Sequence, residues 1–305
     1  MEFIVSAISD IGISRKVNQD ALFAAKMKTS SGNLVFAVMC DGMGGLSQGE
    51  IASASVVNAF KEWYHKKLPL LLKSGLEDKT IVEQWTQVVQ DINSRIRKHG
   101  EKSNSRLGST VTVMLLSEYR YYLMNIGDTR AYLFKNGVNQ LTVDHTLVEQ
   151  QIRLGKLTRE QAESSSIRSV ITRCVGVTEE VYPDFFFGKI DDNAVYLLCT
   201  DGFRHKIKES EMHTQLCSDV SKTSGELWQK LSVLVGMNKQ RKEKDNISVI
   251  AVSNIMPVGT PLSELHDEEN DDEVTIELPD EPIEGDAADF SFIEEILLIH
   301  SDILL

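Results

Sequence analysis

The chain reads as an α+β protein, an antiparallel sheet covered by helices, on three observations. Short runs rich in Val, Ile, Phe and Tyr recur along its first 253 residues. Two of them, 110–117 and 120–126, are separated only by Glu118 and Tyr119, which is hairpin spacing; 130–135 follows with no room for a crossover helix. Between the runs lie stretches whose apolar residues recur at helical spacing. Antiparallel pairing is therefore favoured over a doubly wound parallel sheet.

In chain order, strands are expected at 3–9, 20–25, 34–40, 110–117, 120–126, 130–135, 194–200 and 247–253, and helices near 48–66, 79–99, 146–154, 208–217 and 224–237. Within 79–99, Ile81, Val82, Trp85, Val88, Val89, Ile92 and Ile96 mark one buried face, and a Trp in that series is core. Residues 144–173 are polar, Ser-rich in the middle and short of strand signals, and read as an insertion over a site.

Of the 45 acidic residues, 16 lie after Met256, where there is no Lys or Arg; the preceding 29 acids face 32 bases, a net charge of about +3. The overall charge of −13 thus belongs to a tail. Four of the six prolines (Pro257, Pro261, Pro279, Pro282) lie there too. The expected organisation is a folded domain over 1–256 and an acidic, mostly disordered tail over 257–305. Ser291 to Glu294 has capping-box spacing, so a short amphipathic helix is expected at 291–300. The four cysteines show no CxxC spacing and read as buried, reduced thiols. With no basic leader and no membrane-length apolar run, the expected compartment is the cytoplasm. Neither a nucleic-acid nor a membrane partner is indicated, and a monomer is expected.

Three apolar runs end in an aspartate: at Asp41, at Asp128 and at Asp201. Asp245 opens a fourth run. Asp-Gly is also a common turn dipeptide, but these acids sit where unpaired charge is least welcome. Asp41 opens the cluster Asp41-Gly42-Met43-Gly44-Gly45, and the phrase from Ser14 to Asp20 adds another acid and Arg15. Glycines let backbone carbonyls approach a cation. Hard divalent ions take carboxylate, carbonyl and water oxygens. Two such ions can share a carboxylate and activate a water for attack at phosphorus, while an arginine grips the phosphoryl oxygens. A dinucleotide-binding loop fails on spacing, because position 47 is Ser47, and no GxxxxGK[ST] is present.

The ordered phrases Arg15…Asn18-Gln19-Asp20, Asp41 to Gly45, Gly108-Ser109-Thr110, Gly127 to Arg130, Asp144-His145, Ile171-Thr172-Arg173, Cys199 to Gly202 and Asp245-Asn246 resemble the metal-dependent Ser/Thr protein phosphatases of type 2C, in their bacterial form, over about residues 3–253. The resemblance implies a four-layer α-β-β-α sandwich, two antiparallel sheets flanked by helices. It implies hydrolysis of phosphoserine and phosphothreonine in proteins by a hydroxide bridging two Mg²⁺ or Mn²⁺ ions. By position, Asp41 would bridge them, Asp201 and Asp245 would bind the first and the Gly42 carbonyl the second. Asp20 would hold metal-bound water, Arg15 would bind phosphate, and Asp128 with Asp201 would form a third-ion site. Residues 145–172 would be the flap.

Two positions depart from the common pattern. Gln19 stands where glutamate is frequent. Met43 stands where many eukaryotic members carry a histidine proposed as general acid, so leaving-group protonation is expected from metal-bound water. The implied partners are phosphoprotein substrates and a cognate Ser/Thr kinase or its targets. The acidic tail is expected to bind a basic partner or the domain itself. The alternative reading is a catalytically weak pseudophosphatase serving as a scaffold.

Overall fold

The computed structural model describes residues 1–29, 32–44, 48–255 and 292–298. Its first half runs β1 (Glu2–Asp10), β2 (Asp20–Thr29), β3 (Gly32–Gly44), α1 (Gly49–Lys66), α2 (Leu68–Ser74), α3 (Asp78–Ser103), β4 (Leu107–Ser109), β5 (Val111–Leu116), β6 (Arg120–Ile126), β7 (Arg130–Phe134) and β8 (Val138–Gln140). There follow α4 (Leu147–Arg153), α5 (Arg159–Glu163), β9 (Asp184–Lys189), β10 (Val195–Cys199), α6 (Asp201–Arg204), α7 (Glu209–Cys217), α8 (Ser224–Gln240), β11 (Ile247–Ile255) and β12 (Phe292–Leu298).

Two antiparallel sheets form, one ordered β1-β11-β10-β7-β8 and the other β12-β2-β3-β5-β6-β9, with β4 paired to β3. Alternation of side chains along each strand explains why they stack. On β2, Leu22 and Ala24 face the space between the sheets, with Val5, Met114 and Ile250, while Phe23, Ala25 and Met27 face α1 and α3. On β11, Ile250 and Val252 point inward, and Val249 and Ala251 meet Leu231 and Leu234 of α8. Both faces of each sheet are thus covered, which is the expected four-layer sandwich. The Trp85 ring is fully buried on α3, edge-on to Trp63 of α1 at 5.6 Å, so it is core.

The segment expected to form a helix at 291–300 is instead a strand over Phe292–Leu298, paired antiparallel with β2 from Phe292↔Lys28 to Leu298↔Leu22. The physical reason is local supply and demand. Ten residues cannot sustain an isolated helix, whereas the outer edge of β2 would otherwise present a row of unpaired N–H and C=O groups. The remainder of the tail lies outside the described residues.

The stretch 145–172 carries the short helices α4 and α5 in a mostly exposed segment. Its base is stapled: Thr172 N–H donates to the His145 carbonyl at 2.7 Å, and Leu147 N–H to the Val170 carbonyl at 2.9 Å. His145 serves that staple. Its Nδ1 accepts from Gly127 N–H at 3.0 Å, and Nε2 meets Asp184 at 3.0 Å. Burial holds this imidazole below its usual pKa. No helix among the described residues is long and apolar enough to cross a membrane.

Candidate active site

Strand register brings the first pair of acids together. Asp20 opens β2 and lies directly opposite Asp41 on β3. Like charges in that position repel. Asp41 is set by backbone clamps: its N–H donates to Thr110 Oγ1 at 2.9 Å, and its carbonyl accepts from Thr110 N–H at 2.9 Å and Ser109 Oγ at 3.1 Å. Asp20 is buried and its Oδ2 accepts from Thr200 Oγ1 at 3.1 Å, across 180 residues of sequence. Thr200 follows β10 and precedes Asp201, so this bond ties the second acid-bearing segment to the first.

The remaining acids come from turns. Asp128 follows Gly127, whose φ of 106° makes the turn out of β6; a Cβ there would meet Thr110 Cγ2 at 2.5 Å. Asp245 precedes β11, where Asn246 organises the loop. Asn246 Oδ1 accepts from Gln19 N–H at 2.9 Å, and its Nδ2 donates to the carbonyls of Ile11 at 2.9 Å and Val17 at 3.2 Å. Gly42 is needed for close approach, since a Cβ would sit 2.2 Å from the Gly49 carbonyl oxygen and 2.6 Å from that of Gln19.

The electrostatics report the crowding. Asp41 is held well above the usual carboxylate range by desolvation first, and then by Asp20, Asp201, Asp128 and Asp245. Burial pushes Asp20 to about 7. Burial likewise takes Asp201 to about 6, with Arg204 opposing. Asp201 Oδ1 is buried with no hydrogen-bond partner. An orphaned carboxylate oxygen beside facing acids is costly in a chain of protein groups alone, and it suits hydrated Mg²⁺ or Mn²⁺, which takes one or two carboxylates per ion plus water. Among the described residues, no three His, Cys, Asp or Glu side chains converge on one ion position. Asp245 is turned aside: its Oδ2 accepts from Arg15 Nη2 at 2.7 Å.

Beside these acids opens a cleft of about 640 Å³, lined by Arg15, Arg168, Asp201, His205, Lys242 and Asp245 among others. Of the bases preceding Asp245, Lys239 is paired with Asp10 at 2.8 Å and Arg241 with Glu211 at 2.6 Å, while Lys242 and Lys244 are exposed on the cleft. Gln19 Nε2 donates to Glu50 at 3.2 Å, so a carboxylate from α1 stands beside the amide that replaces glutamate.

All seven predicted site residues (Arg15, Asp20, Asp41, Gly42, Asp128, Asp201 and Asp245) therefore fall on one end of the sandwich. Sequence reasoning assigned no role to Thr110, Thr200 or Asn246, although each lies within a family phrase, because their contacts span distant segments. Arg204 had no signal at all.

Comparison with known proteins bears on the family and the fold. The family model for protein phosphatase 2C matches residues 13–232. Serine/threonine phosphatase stp of Listeria innocua is 29% identical over 231 residues, covering 74% of this chain and 87% of its own. Protein phosphatase PhpP of Streptococcus pneumoniae strain D39 is 29% identical over 253 residues, covering 82% and 96%. The solved serine/threonine phosphatase PstP/Ppp of Mycobacterium tuberculosis superposes with a TM-score of 0.70 at 26% identity, covering 84% of this chain and 100% of that one. The chain belongs to the protein phosphatase 2C family of Ser/Thr protein phosphatases.

Proposed function

We propose that this phosphatase dephosphorylates phosphoserine and phosphothreonine in the cleft beside Asp41, with Asp20, Asp41, Asp201, Asp245 and the Gly42 carbonyl holding two Mg²⁺ or Mn²⁺ ions. The observation that carries the reading is the cross-strand opposition of Asp20 and Asp41 beside the unpartnered oxygen of Asp201. When bound, such ions supply a nucleophilic hydroxide at neutral pH and offset charge on the phosphoryl oxygens. Asp41 lies at the centre of the acid cluster and is the residue that would be shared. Asp20, fixed by Thr200, orders water on its side. Arg15 is half-exposed, so its fork can leave Asp245 and take a phosphoryl group. Met43 carries no titratable proton, so the chain offers no general acid at that position.

The exposed Lys242 and Lys244 favour substrates with acidic residues around the phosphosite. Phosphoproteins modified by a cognate Ser/Thr kinase, or that kinase itself, are the natural targets. A cytoplasmic site of action fits the four unpaired cysteines. The pairing of β12 with β2 supports a tail that binds its own domain. The bridging acid and both first-ion acids implied by the resemblance, Asp41, Asp201 and Asp245, are present, and nothing favours the pseudophosphatase.

The test is turnover of a phosphothreonine peptide with Mn²⁺, with EDTA, and with Asp41→Asn. Activity should require Mn²⁺ and fall at least about 100-fold in the variant. Undiminished hydrolysis in EDTA, or by Asp41→Asn, would sink the two-ion reading.

A further inference from the structure

A third cation between Asp128 and Asp201 would meet a positive charge already in place. Arg204 closes α6, three residues after Asp201, and its guanidinium returns to the turn that carries Asp128. Its Nη2 donates to the Asp128 carbonyl oxygen at 3.0 Å, and lies 3.4 Å from Asp128 Oδ2 and 3.6 Å from Asp144 Oδ2. The side chain is only 12% exposed. Asp144 is already engaged by the Arg130 fork, through Nε at 2.9 and 3.1 Å and Nη2 at 2.9 Å, and by Gln140 at 3.1 Å. Arg204 is therefore the cation available to Asp128.

The helix that carries it cannot easily withdraw. Asn238 Nδ2 donates to the Phe203 carbonyl at 2.7 Å, and a Cβ on Gly202 would come within 2.0 Å of the Asn246 carbonyl oxygen. A guanidinium has donors only and stays charged, so it can neither ligate a metal nor release its proton. A divalent ion on Asp128 would share that carboxylate with a fixed charge at contact distance, away from bulk water, where repulsion is strong.

We propose that Arg204 takes the place of the third ion: it neutralises Asp128 from within the chain, and the centre is built for two ions. Asp128 then anchors Arg204 and is not a metal ligand. This departs from the three-ion arrangement implied by the resemblance, and it rests on the two-ion reading above.

Counting bound Mn²⁺ on the full chain, by equilibrium dialysis and mass spectrometry of the metal, tests it directly. The wild type should bind two ions, and Arg204→Lys, which keeps the charge, should also bind two. Asp128→Asn in the wild-type background should leave the count at two. Arg204→Ser should gain a third ion at least about tenfold more tightly than the wild type takes one. Three ions on the wild type, one of them lost in Asp128→Asn, would overturn the proposal, as would an unchanged count in folded Arg204→Ser. Should Arg204→Ser fail to fold, the Asp128→Asn comparison decides. A wild-type count below two would refute the two-ion reading instead, and the effect of Asp128→Asn would still judge the role of Arg204.

Discussion

Asn246 joins three chain segments with one buried amide, and no neighbour in sequence could do the same. Its side chain fixes Gln19 and therefore the entry of Asp20 into β2, while also holding the 11–17 loop that presents Arg15. Asn246→Ala would remove three part-buried hydrogen bonds that hold the loop, at a cost of roughly 2–4 kcal/mol in all. The expected drop in Tm is about 4–12 °C, with loss of activity beyond that from misplacement of Asp20 and Arg15. A variant with native Tm would show that these bonds contribute nothing to the fold. The acids themselves were legible from the sequence, since aspartates at the ends of apolar runs are unusual. Their holders were not: Thr110, Thr200 and Asn246 are ordinary polar residues until the fold brings their partners to them.

At the scale of elements, most helices and strands follow from periodicity, and α3 matches its expectation closely because its apolar stripe is long. The three-residue pieces β4 and β8 carry too few residues for a pattern, and pairing with a neighbour is what makes them strands. Competition decided β12 in the same way. Its sequence satisfies a capping-box spacing, but β2 offers backbone partners along its whole length. Hydrogen exchange should accordingly show the outward-facing amides of β2 between Leu22 and Lys28 protected in the full chain and exposed after truncation at residue 256. Equal protection in both would remove the docked strand.

For the whole molecule, the acid cluster links stability, metal and pH. Asp20 sits near 7, and Asp128 and Asp201 near 6, each raised by burial from an ordinary value of 3.8. A carboxyl raised on folding favours the fold fully below its unfolded value, and that contribution is lost as pH rises through the folded one. The metal-free chain therefore loses this support between about pH 4 and pH 7, and cation binding, which displaces the protons, restores it. His205 acts in the opposite sense. Burial, then Arg204, lowers it to about 4, so its contribution is present above about 6.5 and lost as pH falls through 4. The Mn²⁺-dependent part of Tm isolates the acids from such effects. That increment should be larger at pH 8 than at pH 5.5 by about 5 °C or more. Equal increments would mean that the carboxyls are already ionised without metal.

By itself the sequence determined the sandwich, the family and the set of acids, because each is written in local patterns: apolar runs, their aspartate ends and the order of short phrases. Only the tertiary structure decided that Asp20 faces Asp41, that Arg15 rests on Asp245, that β12 closes the edge of β2, and that Arg204 reaches Asp128. Those relations depend on register and on contacts between segments far apart in the chain, and no local pattern encodes which distant charge a buried side chain will meet.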